Sequence, residues 1–484
     1  MLEKGQNYEV TIEDMSNEGH GIGRFGGMAV FVDGAITGDV VTTQIAKVKK
    51  NYAFGRLVEI TDPSKFRVEP GCRYSMECGG CSLQAMNYPG QLELKKKMVR
   101  DALVRIGGLE NPVVHDTLGM AEPLRYRNKA QFPVSAGDIV TKKGGILENA
   151  GKCAIGFYKV KSHEVVNCDE CLIQAEPAEK LAEALRKYMI SDHITAYDEK
   201  TGKGLIRHLI VKTAFSTGEV MAIIVINGKG LPNEEKLVHM MDDAISEIES
   251  KDPNGIQYSL ESVVVNKNKK KTSEIMGEQC INIAGKPTIL DKMGDFSFEI
   301  SPMSFYQVNP VQMKRLYDKV LEYAQLTGDE TVLDLYCGVG TIGLYCAGKA
   351  KKVIGMESGK DAILNANRNA VINGIVNAEF ILGKVEDELP KFLNEGVKPD
   401  VVILDPPRAG CYPDLLEIVA LAEPKRIVYV SCDPATLARD IKILCGKGYE
   451  FVEVQPVDMF PHTMHVECCC LLQKILNEKK LFQR

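Results

Sequence analysis

The chain has 484 residues, 45% hydrophobic and 26% charged, with 59 basic against 65 acidic side chains and no tryptophan. That composition excludes collagen-like, coiled-coil and disordered chains and leaves room for about three domains. A net charge of −6 gives no cationic field over the whole molecule, so any nucleic acid must be met by local basic faces. Residues 1–5 are not followed by an apolar run, and the longest apolar stretches, such as residues 220–226, fall far short of the ~20 that span a bilayer. A cytoplasmic protein is expected. Its fifteen cysteines are then reduced, available for burial, metal ligation or nucleophilic chemistry rather than a disulfide framework. A monomer is the working assumption.

Residues 1–61 alternate short β-rich runs with glycine turns: Tyr8-Glu9-Val10-Thr11-Ile12, the Gly19–Gly23 turn, then strands near residues 28–32, 40–45 and 54–60. Five strands at hairpin spacing predict a small barrel of the OB type. The Gly19–Gly23 turn and Phe31-Val32-Asp33-Gly34 followed by Gly38-Asp39 resemble the TRAM domain, an RNA-binding barrel, and imply RNA as partner. Residues 62–285 read as an α+β middle region. Residues 91–106 carry apolar positions at helical spacing, with Lys95-Lys96-Lys97 expected on the other face. Arg125-Tyr126-Arg127-Asn128-Lys129 has the composition to contact phosphates and stack bases, or to be an ordinary basic strand. Residues 209–212 and 220–225 predict paired strands, and residues 262–265 another, followed by a lysine run expected in solvent. From residue 286 to 484 short apolar runs alternate with helix-length segments: 332–335, 352–357, 378–381, 401–405 and 426–430. Runs without polar alternation suit strands covered on both faces, so a doubly wound, Rossmann-like α/β sheet is expected.

Three cysteines stand close together in the middle region, Cys72, Cys78 and Cys81, in a C-x5-C-x2-C spacing, and Cys168 and Cys171 follow ninety residues on. Three thiolates in one glycine-bearing loop and a fourth from a distant segment suit a 4Fe–4S cluster better than zinc, whose usual signature is two C-x2-C-like pairs. Spacing leaves Cys168 and Cys171 in competition. With no redox partner evident, the expected role is structural, tying loop 72–81 to residues 165–171.

In the last region Gly338, Gly340 and Gly343 form G-x-G-x-x-G between a strand and a helix, which alone suits a nicotinamide enzyme equally well. Two features favour S-adenosylmethionine. Asp334 precedes the glycines, where a cationic ligand welcomes a carboxylate, and Asp405-Pro406-Pro407-Arg408 forms a rigid corner at the end of the fourth strand. Glu357, ending the next strand, is placed to grip a ribose diol. Asp-Pro-Pro resembles the corner of amino-directed methyltransferases, but Arg408 stands where those carry an aromatic residue. Cys432, after the fifth strand in Ser431-Cys432-Asp433-Pro434, is a candidate nucleophile. A thiol is needed where the methyl acceptor is carbon 5 of a pyrimidine, because addition at carbon 6 makes carbon 5 nucleophilic. Such an adduct resolves only when a base removes the C5 proton, and Glu467, leading the buried run Cys468-Cys469-Cys470, is the candidate.

Together, Asp405-Pro406-Pro407-Arg408, Ser431-Cys432-Asp433-Pro434-Ala435-Thr436 and His462-Thr463-Met464-His465-Val466-Glu467 resemble the RNA uracil-C5 methyltransferase family over nearly the whole chain. The resemblance implies Cys432 as nucleophile and Glu467 as proton acceptor. It also implies Gln307, Tyr336, Glu357 and Asp405 as S-adenosylmethionine contacts, and Cys72, Cys78, Cys81 and Cys171 as ligands of a 4Fe–4S cluster. The barrel and the cysteines make the chain look like the 23S rRNA branch, with the tRNA ribothymidine branch as alternative. An amino-directed methyltransferase and a non-enzymatic iron–sulfur RNA-binding protein are the more distant readings.

Overall fold

The computed structural model describes residues 2–136, 153–249 and 255–475. The first five strands, β1 (Asn7–Met15), β2 (Gly21–Phe25), β3 (Met28–Asp33), β4 (Val40–Val48) and β5 (Tyr52–Asp62), close in the order β1-β2-β3-β5-β4. Alternation does this: Val10, Ile12, Val30, Val32, Val41, Ile45 and Ala53 all face one small core. Glycines allow the closure, since a Cβ at Gly23 would lie 2.4 Å from the Thr11 carbonyl oxygen. Fully buried Asp39 anchors the barrel to the chain beyond it. Its carboxylate accepts from the Ile36 and Ser64 amides at 2.8 and 2.9 Å and pairs with Arg67 at 2.6 Å.

Helix α1 (Tyr88–Arg105) follows, capped by Asn87, whose side chain accepts from the Gly90 amide. Its buried face is Gln91, Leu94, Lys95, Val99 and Leu103, so Lys95 is not on the solvent side as the lysine run suggests. Spacing of four from both Gln91 and Val99 places it inward, and the buried Asp458 opposite makes that position tenable.

The middle region is a seven-stranded sheet: β6 (Lys129–Ser135), β7 (Ala154–Tyr158), β8 (Val165–Asn167), β9 (Ile206–Thr213), β10 (Glu219–Ile226), β11 (Ser259–Lys267) and β12 (Gln279–Gly285). The order is β12-β11-β10-β9-β6-β7-β8, with β9 and β10 antiparallel as their sequences predict. Helices α2 (Glu176–Ser191) and α3 (Glu234–Ser246) cover one face. The hairpin of β13 (Ile289–Met293) and β14 (Phe296–Ile300) shares a core with both the other face and the last region.

After α4 (Pro310–Ala324) the chain alternates β15 (Thr331–Leu335), α5 (Thr341–Ala347), β16 (Lys352–Glu357), α6 (Lys360–Ile372), β17 (Ala378–Leu382), α7 (Val385–Asn394), β18 (Val401–Leu404), α8 (Pro413–Leu421), β19 (Arg426–Ser431) and α9 (Pro434–Gly446). It ends in antiparallel β20 (Tyr449–Val457) and β21 (Glu467–Lys474). The order β17-β16-β15-β18-β19-β21-β20 is the doubly wound arrangement expected, and its direction reverses between β15 and β18. Cys468, Cys469 and Cys470 lie in the buried strand β21 as small apolar residues.

Candidate active site and cysteine centre

Ligands of an open α/β sheet bind outside the carboxyl ends of its strands at the switch point, here between β15 and β18. The glycine loop leaves β15 there. Asp334 is fully buried, with Oδ2 accepting from the Gly343 amide at 2.8 Å and Oδ1 buried without a partner among the described residues. A Cβ at Gly343 would lie 2.8 Å from Asp334 Oδ2, so only glycine allows this contact. Gly338 has φ +54° and open space where a side chain would stand, a cradle for a ligand. Tyr336, also left-handed at φ 64°, donates to Glu386 at 2.7 Å. Glu357 ends β16 and accepts from the Gly359 amide at 2.7 Å. Gln307 is buried, and its carbonyl accepts from Asn128 Nδ2 at 2.9 Å. A cationic nucleoside-type ligand suits this set. Burial pushes the Asp334 carboxyl up to about 7, and burial alone does the same to Asp405.

Cys432 follows β19 and precedes α9, whose Asp433 cap accepts from the Ala435 and Thr436 amides at 2.9 and 3.2 Å. Ser431 pairs with Cys468 across the sheet, so the next residues outward, Cys432 and Glu467, are neighbours at one edge. Burial first, then the charges of Glu467 and Asp405, push the Cys432 thiol up to about 11, while Arg408 acts in the opposite sense. Glu467 is raised well above the usual carboxylate range, by burial and then by Asp405. Arg408 is exposed, within 3.3 Å of His465 Nδ1 and 3.7 Å of the Asp433 carboxylate. A cavity of about 420 Å³ opens onto Cys432, Arg408 and His465, and its opposite wall includes Ser16, Asn17 and Ile22 of the barrel. The barrel thus shares an opening with the thiol.

Cys72, Cys78, Cys81, Cys168 and Cys171 line a second cavity, of about 380 Å³, closed on another side by Phe305, Tyr306 and Val308, next to Gln307. Tyr74 and Arg73 both reach Asp169, and the Gly79 amide donates to the Tyr158 carbonyl at 2.9 Å, so loop 72–81 is tied to the 158–171 stretch. The Cys168 thiol donates its proton to the Glu170 carbonyl at 3.0 Å, and the Cys171 amide donates to Glu179 at 2.6 Å. Among the described residues no group of three or more His, Cys, Asp or Glu converges on the point a single ion would occupy. What the structure shows is that these cysteines share one cavity.

Arg125-Tyr126-Arg127-Asn128-Lys129 does not present a base-stacking face. Arg125 donates to the Cys171 and Gln174 carbonyls at 2.9 and 3.2 Å and pairs with Glu179, while Tyr126 is buried and donates to the Pro461 carbonyl at 3.0 Å. The segment is scaffold for the cysteine centre and the residues before Glu467. Sequence reasoning also missed Gln91, Lys95 and Asp458. Their signal was the period of α1, which puts both α1 side chains on its apolar face.

Residues 259–475 match the family described as tRNA (Uracil-5-)-methyltransferase, and residues 2–58 match the TRAM domain. An uncharacterized RNA methyltransferase of Caldanaerobacter subterraneus is 48% identical over 97% of this chain and 99% of its own. Another, from Clostridium acetobutylicum, is 44% identical over 98% of each chain. The chain belongs to the RNA uracil-5-methyltransferase family. It is also similar to the Pyrococcus abyssi tRNA (uracil-54, C5)-methyltransferase solved with S-adenosyl-L-homocysteine, at 29% identity and TM-score 0.72 over 96% of this chain and 99% of that one. The unmatched 4% of this chain is too little to omit the barrel. A barrel therefore does not by itself set this chain apart from that tRNA enzyme.

Proposed function

We propose that this family member forms 5-methyluridine in 23S rRNA, with Cys432 as nucleophile and Glu467 as the base that removes the C5 proton. The observation carrying the chemistry is the pair itself: a buried carboxyl at the register position adjacent to a thiol that lines a cavity shared with the barrel. The Cys432 thiol gives its proton to solvent, the resulting thiolate adds to C6 of the everted uracil, and the C5=C6 electrons, held as the enolate, are then available at C5 to take a methyl group. S-adenosylmethionine, when bound, supplies that methyl as a sulfonium, and Gln307, Tyr336, Glu357 and Asp405 are the residues that would hold it. Glu467 then takes the proton from C5, the C5–H electrons restore the C5=C6 bond, and the C6–S bond breaks to return the thiolate. Burial makes Glu467 a stronger base than a carboxylate in water. Eversion of the uridine costs a few kcal/mol, least in an unpaired loop.

A tRNA is the second reading, favoured by the likeness to the P. abyssi enzyme. The limits proposed for barrel, middle region and methyltransferase domain are 1–61, 62–285 and 286–484. We assign a 4Fe–4S cluster to Cys72, Cys78, Cys81 and Cys171, as a tie between the two segments that carry them; the cavity these thiols share supports it. The deciding experiment offers 23S rRNA and bulk tRNA, each carrying 5-fluorouridine, to the protein with labelled S-adenosylmethionine. Fluorine in place of the abstractable proton traps the adduct. A mapped adduct in 23S rRNA supports the proposal, an adduct only in tRNA replaces it with the second reading, and none in either refutes the thiol mechanism.

A further inference from the structure

Between β20 and β21 the chain leaves the sheet for residues 458–466 and re-enters it at Glu467, opposite Val457. Where the carboxyl of Glu467 points is therefore set by how these nine residues are held. Apart from Asn309, the groups that hold them come from outside their own domain. Lys95, fully buried on α1, donates to Asp458 Oδ1 at 2.5 Å and to the Phe460 carbonyl at 3.0 Å. Gln91, one turn earlier, accepts from the His462 amide at 2.8 Å and lies 3.2 Å from His462 Nδ1. Tyr126 donates to the Pro461 carbonyl at 3.0 Å, and Asn309 to the Met459 carbonyl at 3.2 Å. Met464 packs into a small core with Met15 and Ile36 of the barrel region and Leu83 and Leu94 of the middle region. His462 has φ 66°, a left-handed conformation that a non-glycine residue keeps only where its surroundings fix it.

This is an expensive way to hold a loop. A buried ion pair contributes little net stability compared with apolar packing of the same volume, because both charges lose their water. What such groups give is a single geometry. We infer that Gln91 and Lys95 are positioning residues for Glu467, fixing residues 458–466 so that the carboxyl meets the C5 proton of the methylated adduct. The inference rests on the reading of Glu467 as the base. It assigns the middle region a part in one step only, because thiol addition and methyl transfer are complete before that proton leaves.

The step-specificity provides the test. With unmodified RNA and methyl-labelled cofactor, Gln91→Met is expected to transfer one methyl per enzyme in a burst near the wild-type rate. It then holds the RNA as a denaturant-resistant, methylated protein–RNA adduct. Resolution of that adduct should slow by about ten- to a hundredfold, the size of effect that a misplacement near 1 Å produces. Tyr126→Phe removes one hydroxyl from the same loop without a change of shape. It should give the same adduct with a smaller delay, and it decides the matter should Gln91→Met not fold. Glu467→Gln is the reference. If it accumulates no methylated adduct, the reading of the base is wrong. If it does, while the folded loop variants lose burst and turnover in equal proportion or resolve the adduct at the wild-type rate, the positioning role is overturned.

Discussion

Ser431 of β19 lies opposite Cys468 of β21, and this one antiparallel pair brings Cys432 and Glu467, 35 positions apart in the chain, to the same edge of the sheet. The register depends on the turn back at residues 458–466, since β21 is the strand that runs against the parallel set. Cys432→Ala should accordingly abolish turnover, by at least about a thousandfold, while leaving cofactor binding intact. Measured rates together with calorimetric titration of S-adenosylmethionine check both halves. Retained activity in this variant would sink covalent catalysis and restore an amino-directed reaction.

Two carboxyls, buried Asp334 and half-buried Asp405, give the cofactor site a pH dependence. Asp334 and Asp405 are each pushed up to about 7, so near neutrality each exchanges a proton readily. S-adenosylmethionine carries a sulfonium charge that favours their ionised forms, whereas S-adenosylhomocysteine has none. Affinity for S-adenosylmethionine should therefore rise as pH climbs from 6 to 8, with protons released on binding; affinity for the homocysteine product should change much less. For the free protein the sign reverses. Carboxyls raised above their unfolded values stabilise the fold at low pH, and that contribution is lost as pH rises through about 7. Melting temperature without ligand should fall over the same interval. Calorimetry in buffers of different ionisation enthalpy and thermal melts at three pH values would expose a wrong sign in either.

The sequence made the chemistry legible because chemistry sits where strands end. Asp405 and Cys432 follow short apolar runs, and Glu467 opens one, so each could be placed at a sheet edge before any coordinates. The barrel was equally legible from its glycines and alternation. Gln307 was not: it lies in a loop whose position comes from Asn128, distant in sequence, and only family likeness pointed to it. Lys95 was misread for a different reason. Three consecutive lysines suggest solvent, yet a helix advances 100° per residue, so Lys95, Lys96 and Lys97 face three directions and one of them is the core. The two readings of Arg125–Lys129 could not be separated from sequence because Arg125's partners, the Cys171 and Gln174 carbonyls, are backbone groups that leave no sequence signature.

The cysteine centre offers a prediction that separates neighbours three residues apart. Cys171 is the ligand proposed above, while Cys168 is buried and its thiol proton is donated to the Glu170 carbonyl at 3.0 Å. Cys171→Ser should lose bound iron and acid-labile sulfide, and Cys168→Ser should retain most of both. Metal and sulfide analysis of protein prepared without oxygen reads this directly. One zinc per chain and no sulfide would rule out the cluster, and the reverse pattern between the two variants would move the fourth ligand to Cys168.

The wall that the barrel contributes to the Cys432 cavity predicts how RNA enters. Asn17 is exposed on the turn after β1, and the Gly19 that follows lies so close to Ser82 that a Cβ there would meet the serine Cβ at 2.7 Å. That contact fixes the turn against the middle region, so Asn17 has a defined place at the rim rather than a range of them. A carboxylate introduced there would stand where phosphates must pass to bring a uridine to the thiol, and its repulsion would be screened by salt. Asn17→Glu should raise the KM for RNA several-fold at low ionic strength, and the difference from wild type should shrink as salt is added. The methyl-transfer rate at saturating RNA and the affinity for S-adenosylmethionine should both stay as in wild type. An unchanged KM at low salt would mean that the polynucleotide approaches Cys432 from another side, with the barrel holding RNA only at a distance from the reacting base.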